Sequence, residues 1–466
     1  TFHLLYTLDV SPNAILVISY IGFVTQEIKI TNQTSLTITL NEDVKKLEEV
    51  VIVGYTSQKK INLTGAVSSI DFSKDKLSRP ATTVSSILSG MSAGLNVMQT
   101  SSKPNSEGSS VLIRGVGTLN NSAPLILVDG MEMGLNEINP NDIASVSILK
   151  DAASCAIYGN RGANGVILVT TNRGQDGRIN VSYSGKFSYN TPSKIIRQVT
   201  NYADYMEFIN EAAENVNQAK RFTQSTIDEW REAAKNPNGT SDSGYPNYVT
   251  HPNTDWYDEV FNPKWMQEHT VTLTGAEQRT NYSLSGTFMD NPGVVAGSGM
   301  KKYYFRSDIE SRVTNFLTVG MRAWGYHTDQ QRNNIDDLFG LNMQKVTPGV
   351  YPYYNGMYGG AETSEEDGQV GNPVALLANN HGYYKQNKYF VNPYITVSFL
   401  KDFKFTTQLY YDNYSNNQKW IPSPFQQTYS FRRGIALNSP PTTETLTEYS
   451  VSDYRYNDRS WKTSTM

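Results

Sequence analysis

Between Lys301 and Val313 the side chains alternate without a break, with Tyr303, Phe305, Ser307, Ile309, Ser311 and Val313 on one face and Tyr304, Arg306, Asp308, Glu310 and Arg312 on the other. A period of two defines extended chain, and this run outlasts the ~5–6 residues of an ordinary soluble strand. Asn281 to Met289 repeats the scheme, setting Tyr282, Leu284, Gly286 and Phe288 against Asn281, Ser283, Ser285 and Thr287. Lys401 to Tyr414 does so again with Phe403, Phe405, Leu409 and Tyr411. A tilted strand of about 9–11 residues crosses the hydrocarbon of a bilayer. The pattern therefore predicts antiparallel strands of one sheet over 178–189, 269–289, 301–326 and 388–415, with the charged set of the Lys301 run toward water. The turn at 276–280 is short, whereas 190–265 and 328–386 are long and rich in Pro and Asn. Short turns at one end and long loops at the other are the asymmetry of an outer-membrane barrel.

Composition agrees with strands that show one face to lipid. Only 18% of the 466 residues are charged, against about 25% in ordinary domains, and 30 are Tyr. Mean hydropathy is −0.47 and no apolar run approaches the ~20 residues of a spanning helix. Barrel strands average to polar, because lipid-facing and lumen-facing residues alternate. Net charge is −4 and no Lys/Arg block occurs, which removes a nucleic-acid partner. The single Cys155 excludes an intrachain disulfide and reads as a small buried apolar residue. There is no CxxC, no Cys/His cluster and no cofactor motif, so no metal and no cofactor are expected. His3, His251, His269, His327 and His381 are scattered, and HExxH and GxSxG are absent, so no catalytic set is visible and the chain does not read as an enzyme. Thr1 opens directly into a strand pattern without the charged and apolar regions of a signal peptide.

The pattern divides the chain into four parts. Residues 1–41 read as the tail of a β-sandwich, with strands at Ala14 to Tyr20, Thr25 to Ile30 and Ser35 to Leu40. Residues 42–60 read as a charged linker carrying one β-prone run, Val50 to Tyr55, which could be a last sandwich strand, a passive linker or a strand available to a partner. Residues 61–175 form a compact α/β unit: a helix at Ser85 to Met91, strands at Ser110 to Arg114, Pro124 to Val128 (stopped by the Asp129–Gly130 turn), Ile143 to Leu149 and Gly165 to Thr171, and a helix at Ala152 to Tyr158 capped by Asp151. Residues 176–466 carry the long alternating strands. Gly159, Gly162 and Gly165 lack the GK[ST] ending of a phosphate loop and follow a helix, so tight turn packing is the better account. Tyr351, Tyr353, Tyr354 and Tyr358, with the glycines from Gly356 to Gly360, suit a mobile surface whose ring faces stack on a sugar or peptide, or else serve as packing residues. Glu362, Glu365, Glu366 and Asp367 could offer oxygens to Ca²⁺ but lack a regular ligand spacing, which favours a solvated loop.

Several stretches carry a family resemblance: ISYIGF at Ile18 to Phe23, LEEVVIVGY at Leu47 to Tyr55, SVLIRGVGTLNNSAPLILVDG at Ser110 to Gly130, INPNDIASVSILKDAASCAIYGNRGANGVILVTTNRG at Ile138 to Gly174, TDWYDEVF at Thr254 to Phe261 and NPVALL at Asn372 to Leu377. In this order and spacing the chain resembles the SusC/RagA type of TonB-dependent outer-membrane transporter. The resemblance implies a mainly β fold: part of a carboxypeptidase-regulatory-like β-sandwich, a TonB-contacting strand at Val50, Val51, Ile52, Val53 and Gly54, an α/β plug, and a transmembrane antiparallel β-barrel of about 22 strands. Among plug residues it singles out Arg114, Gly115, Asp129, Gly130, Arg161 and Gly162, with Arg114 and Arg161 expected to pair with carboxylates on the barrel wall. It further implies active uptake of oligosaccharide, with peptide next and siderophore, cobalamin or a non-transporting receptor as alternatives. The implied partners are a TonB–ExbB–ExbD complex, a SusD-like surface lipoprotein, outer-membrane lipid, and a second copy in a dimer of SusCD pairs. Roughly 290 residues follow the plug, enough for about seven to nine strands, so the expected barrel is incomplete and the chain reads as a fragment of a longer product.

Overall fold

The computed structural model describes residues 15–18, 26–29, 50–53, 56–59, 67–72, 82–106, 108–119, 121–174, 179–192, 197–333, 343–363, 366, 371–400, 403–422, 427–437 and 452–465. Near the start, β1 (Ile15–Ile18) and β2 (Gln26–Lys29) pair antiparallel. The expected strand Ser35 to Leu40 lies outside the described residues. The run expected to stand alone does not: β3 (Val50–Val53) pairs antiparallel with β4 (Thr56–Lys59), from Val50 opposite Lys59 to Val53 opposite Thr56. An extended backbone must place its N–H and C=O groups, and the following residues supply partners. Gly54 lies outside the described residues.

The α/β unit is built on a five-stranded sheet in the order β5 (Val67–Asp71), β10 (Ile143–Leu149), β11 (Val166–Thr171), β8 (Leu125–Val128), β9 (Met131–Glu132), beside a separate pair, β6 (Leu95–Gln99) with β7 (Ser109–Ile113). The β11–β8 pair is parallel and the others are antiparallel. Val166 to Val169 is apolar at every position because both faces of β11 are covered. Ile167 and Val169 join Ile70, Val84, Ile87, Val146 and Ile148 on one side. Val166 and Leu168 join Leu125, Leu149 and Cys155 on the other. Asp151 caps its helix as expected, its Oδ1 accepting from Ser154 N at 2.8 Å. Asp129 and Gly130, at φ 48° and 86°, make the two-residue turn from β8 to β9.

The long strands form one antiparallel sheet of eight: β12 (Asn180–Asn190), β13 (Lys264–Glu277), β14 (Thr280–Asn291), β15 (Met300–Arg312), β16 (Leu317–Gln331), β19 (Asn380–Phe399), β20 (Phe403–Pro422) and β23 (Ser452–Thr465). Connections at one end are short, with Gln278 and Arg279 alone between β13 and β14, while those between β12 and β13, β16 and β19, and β20 and β23 are long. One face shows Val181, Phe187, Tyr303, Phe305, Ile309, Val319, Ile395, Phe405 and Leu409 exposed. The opposite face turns inward. Arg306 and Asp308, expected to meet water, are instead buried against the α/β unit, which lies on this face. Alternation alone identifies the polar face and cannot distinguish water from a polar protein surface.

The long connections are themselves folded. Helices α1 (Tyr202–Asn215) and α2 (Gln224–Lys235), in the stretch expected to be a long loop, begin at the caps Asn201 and Thr223 and pack through Tyr202, Met206, Ile227 and Trp230. The tyrosine segment is not a mobile surface: β17 (Tyr353–Tyr354) and β18 (Met357–Gly359) join β21 (Thr428–Ser430) and β22 (Ile435–Ala436) in a four-stranded sheet. Its glycines serve that sheet. Asn355 and Gly356 turn at φ 48° and 84°, and a Cβ on Gly359 would collide with the Tyr351 carbonyl. Composition alone does not separate glycine used for packing from glycine used for mobility.

Candidate functional site

The inner face of the sheet, hereafter the wall, meets the α/β unit along a polar seam. Asp129, in the turn after β8, accepts from Thr171 N at 3.1 Å and from Thr171 Oγ1 at 2.6 Å. Arg306 of β15 approaches the same carboxylate at 3.8 Å, donates to the Asn172 carbonyl at 3.3 Å and to Thr171 Oγ1, and lies 3.3 Å from Asp308, to which Arg322 adds a second cation at 3.7 Å. All four charged side chains are largely buried. In such surroundings a charge persists only when paired and hydrogen-bonded, which this arrangement achieves.

Three further contacts extend the seam. Lys388 of β19 reaches Glu137 of the unit at 2.8 Å and Asp412 of β20 at 3.6 Å. Asn141 donates to Glu268 Oε1 at 2.8 Å and Thr270 Oγ1 at 3.0 Å on β13, where Lys186 also holds Glu268 at 3.0 Å. Asn105 donates to Gln330 and Gln386 at 3.1 and 3.2 Å, and Gln330 returns a bond to the Pro104 carbonyl at 2.8 Å. A seam of hydrogen bonds and ion pairs fixes register, yet each contact has water as an alternative partner once opened, so its net worth is about 0.5–1.5 kcal/mol for a typical bond.

Of the residues singled out from the sequence, Asp129 lies in this seam and Gly130 completes its turn. Arg161 does not reach the wall: it pairs with Glu132 of its own unit, both side chains being about half exposed. Arg114, at φ 62°, is exposed, and no wall carboxylate pairs with it among the described residues. Its charge, after burial, helps push the Lys150 ammonium below its ordinary pKa. The expected polarity is thus reversed, with the wall supplying Arg306 and Lys388 and the unit supplying Asp129 and Glu137. Gly115, at φ 111°, extends the turn after β7, and Gly162 sits against Cys155, whose thiol burial pushes up in pKa. Arg306, Asp308, Glu268, Asn141, Glu137 and Lys388 were missed. For Arg306, Asp308, Glu268 and Lys388 the signal was present as charges on the inner parity of long strands, whereas Glu137 and Asn141 sit in short turns of the α/β unit that carry no such pattern.

The four tyrosines divide. Tyr351 and Tyr354 pack edge-on with Tyr248 and Phe431, while Tyr353 pairs across β17 and β18 with Tyr358 at 4.9 Å and stays 49% exposed. Glu362 and Glu366 are not cation ligands in waiting. Glu362 meets Arg433 at 2.7 Å and Arg432 at 3.5 Å, and Glu366 pairs with Arg432, which lies over the Trp230 ring. Glu365 and Asp367 lie outside the described residues.

Residues 59–166 match the TonB-dependent Receptor Plug Domain. TonB-dependent receptor P26 of Formosa agariphila is 33% identical over 429 residues, covering 89% of this chain and 38% of the relative. The chain belongs to the SusC/RagA-type TonB-dependent receptors. TonB-dependent receptor SusC of Bacteroides thetaiotaomicron is 31% identical over 311 residues, covering 64% of this chain and 28% of that protein. The RagAB peptide importer in its open-open state shares the fold at a TM-score of 0.65 and 24% identity, over 82% of this chain and 44% of that one. The α/β unit is accordingly the plug, the eight-stranded sheet is barrel wall, and the chain spans less than half the length of these relatives.

Proposed function

We propose that this chain supplies the plug and part of the wall of a transporter that takes oligosaccharide or peptide nutrients across the bacterial outer membrane, drawing energy from a TonB–ExbB–ExbD complex and capped by a SusD-like lipoprotein. The carrying observation is the wall itself: its outer face is apolar and exposed, and its inner face holds Asp129, Glu137 and Asn141 of the plug through Arg306, Lys388 and Glu268. A plug that fills the lumen must move for cargo to pass, and a polar seam lets it leave without stripping apolar surface into water. Residues 1–41, 42–60, 61–175 and 176–466 serve as sandwich part, coupling linker, plug and wall. Oligosaccharide is the first reading for the cargo; the name of the RagAB peptide importer supports the peptide branch. In the body into which the long connections fold, hereafter the loop body, Tyr353 and Tyr358 offer ring faces to cargo, while Tyr351 and Tyr354 shape it.

Coupling falls to Val50–Val53 with Gly54, where a partner strand adds by backbone hydrogen bonding to the β3–β4 hairpin. Val51→Pro in the full-length protein removes one backbone donor without touching wall or plug. Uptake, read as growth on a panel of oligosaccharides and peptides, should be lost while binding of the same compounds by purified protein is kept. Unimpaired growth of the variant overturns the coupling role.

A further inference from the structure

The charges of the seam balance at two of its three charged contacts. Around Arg306, Asp129 of the plug and Asp308 of the wall face the two guanidinium groups of Arg306 and Arg322. Around Glu268, Lys186 of the neighbouring strand pairs at 3.0 Å, and the plug contributes only the neutral amide of Asn141. The contact at Lys388 differs. One ammonium there serves two carboxylates, Glu137 of the plug at 2.8 Å and Asp412 of the wall at 3.6 Å. No other ion pair engages either acid among the described residues. The two acid side chains are only 25% and 34% exposed, and their second oxygens, Glu137 Oε2 and Asp412 Oδ1, are closed off from solvent and accept no hydrogen bond from a described residue.

These acids repel each other only while the plug is seated, because Glu137 leaves with the plug and Asp412 stays on β20. Like charges within reach of one ammonium oppose each other most where solvent screens them weakly. Asp412 also keeps Lys388 paired once Glu137 has gone, so the wall is not left with a lone ammonium. Both effects raise the energy of the seated plug relative to the released one.

We propose that Asp412, which forms no hydrogen bond or ion pair with the plug among the described residues, is a release residue: it competes with Glu137 for Lys388 and so sets how readily plug segment 135–142 leaves the wall. The proposal rests on the uptake reading above and gives it a residue that weakens the plug's hold.

The test is hydrogen exchange on the purified full-length protein, read at the amides of Glu137 and Asp142, which donate to the carbonyls of Gly134 and Asn139 at 3.1 and 3.0 Å. Asp412→Asn should slow exchange of both about fivefold, whereas loss of an acid that merely braces the seam would speed it. Asp412→Ala should slow it too, since alanine cannot donate a new bond to Glu137. In a Glu137→Gln background neither substitution should slow exchange, because the repulsion they remove needs both acids. Unchanged or faster exchange in both variants overturns the proposal, as does slowing in Asp412→Asn alone or equal slowing in the Glu137→Gln background. Growth on the oligosaccharide and peptide panel separates the two readings. Asp412→Asn should slow growth with cargo binding unchanged; if exchange slows while growth does not, the competition for Lys388 stands and the requirement that the plug move for uptake fails.

Discussion

Arg306 of the wall and Asp129 of the plug face each other at 3.8 Å with almost no exposure to solvent, joined through Thr171, which donates to the carboxylate and accepts from the guanidinium. The pair ties a turn between two short plug strands to the middle of a membrane strand. Asp129→Asn should loosen the plug by about 1.5–3 kcal/mol, the usual worth of hydrogen bonds to a charged group, because it weakens the bonds from Thr171 while Arg306 keeps Asp308 as its nearer partner. Hydrogen exchange of β8 and β11 in the full-length protein measures this. Protection equal to wild type in both strands would show that the pair does not hold the plug.

The outward face makes a second prediction. Phe305, 56% exposed, lies on the apolar face, whereas Lys301 on the same parity lies beside Asp290 nearer the strand's end. Phe305→Arg should cost ~2–4 kcal/mol in folding into lipid vesicles, because it puts a charge on the lipid face, whereas Lys301→Arg, which keeps the charge already there, should cost little. Equal costs would contradict the assignment of this face to lipid.

How much of this was legible from the sequence varies with the element. The period-two pattern of β15 and the apolar runs of β10 and β11 located their strands closely, because burial on one or both faces leaves a direct mark on residue choice. Partnership was harder to read. Arg306 and Asp308 mark a polar face in the same way whether water or a plug lies opposite, and Arg161 could not be known to find Glu132 before β9 folded back. The helices α1 and α2 are harder to read although Asn201 and Thr223 are ordinary caps, because their buried positions are few and set among charged and polar residues.

The loop body carries a pH prediction. Burial works against the charge of Glu362, yet hydrogen bonds from Ser430 and Arg433 and the charge of Arg432 outweigh it and hold the pKa below the usual value. A depressed folded pKa means that its stabilisation is present above about pH 4.3, the unfolded value, and is lost as pH falls through the lower folded value. His251, also depressed but basic, has the opposite charge logic: folding disfavours its protonation, so its contribution weakens below about pH 6.5. Trp230 lies against both Arg432 and His251, and its fluorescence should change in two steps on acidification. Glu362→Gln should abolish the lower step alone; retention of both steps would show that the pairing of Glu362 with Arg432 and Arg433 does not set it.

Tethering the plug to the wall tests whether it must shift for cargo to pass. Asn141 and Thr270 touch across the seam at 3.0 Å. Asn141→Cys with Thr270→Cys, joined by a short reducible bis-thiosulfonate linker in the full-length protein, should hold the plug in place. Uptake should be lost in the linked protein, cargo binding should be kept, and reductant should restore uptake. Full uptake with the linker quantitatively in place would contradict it.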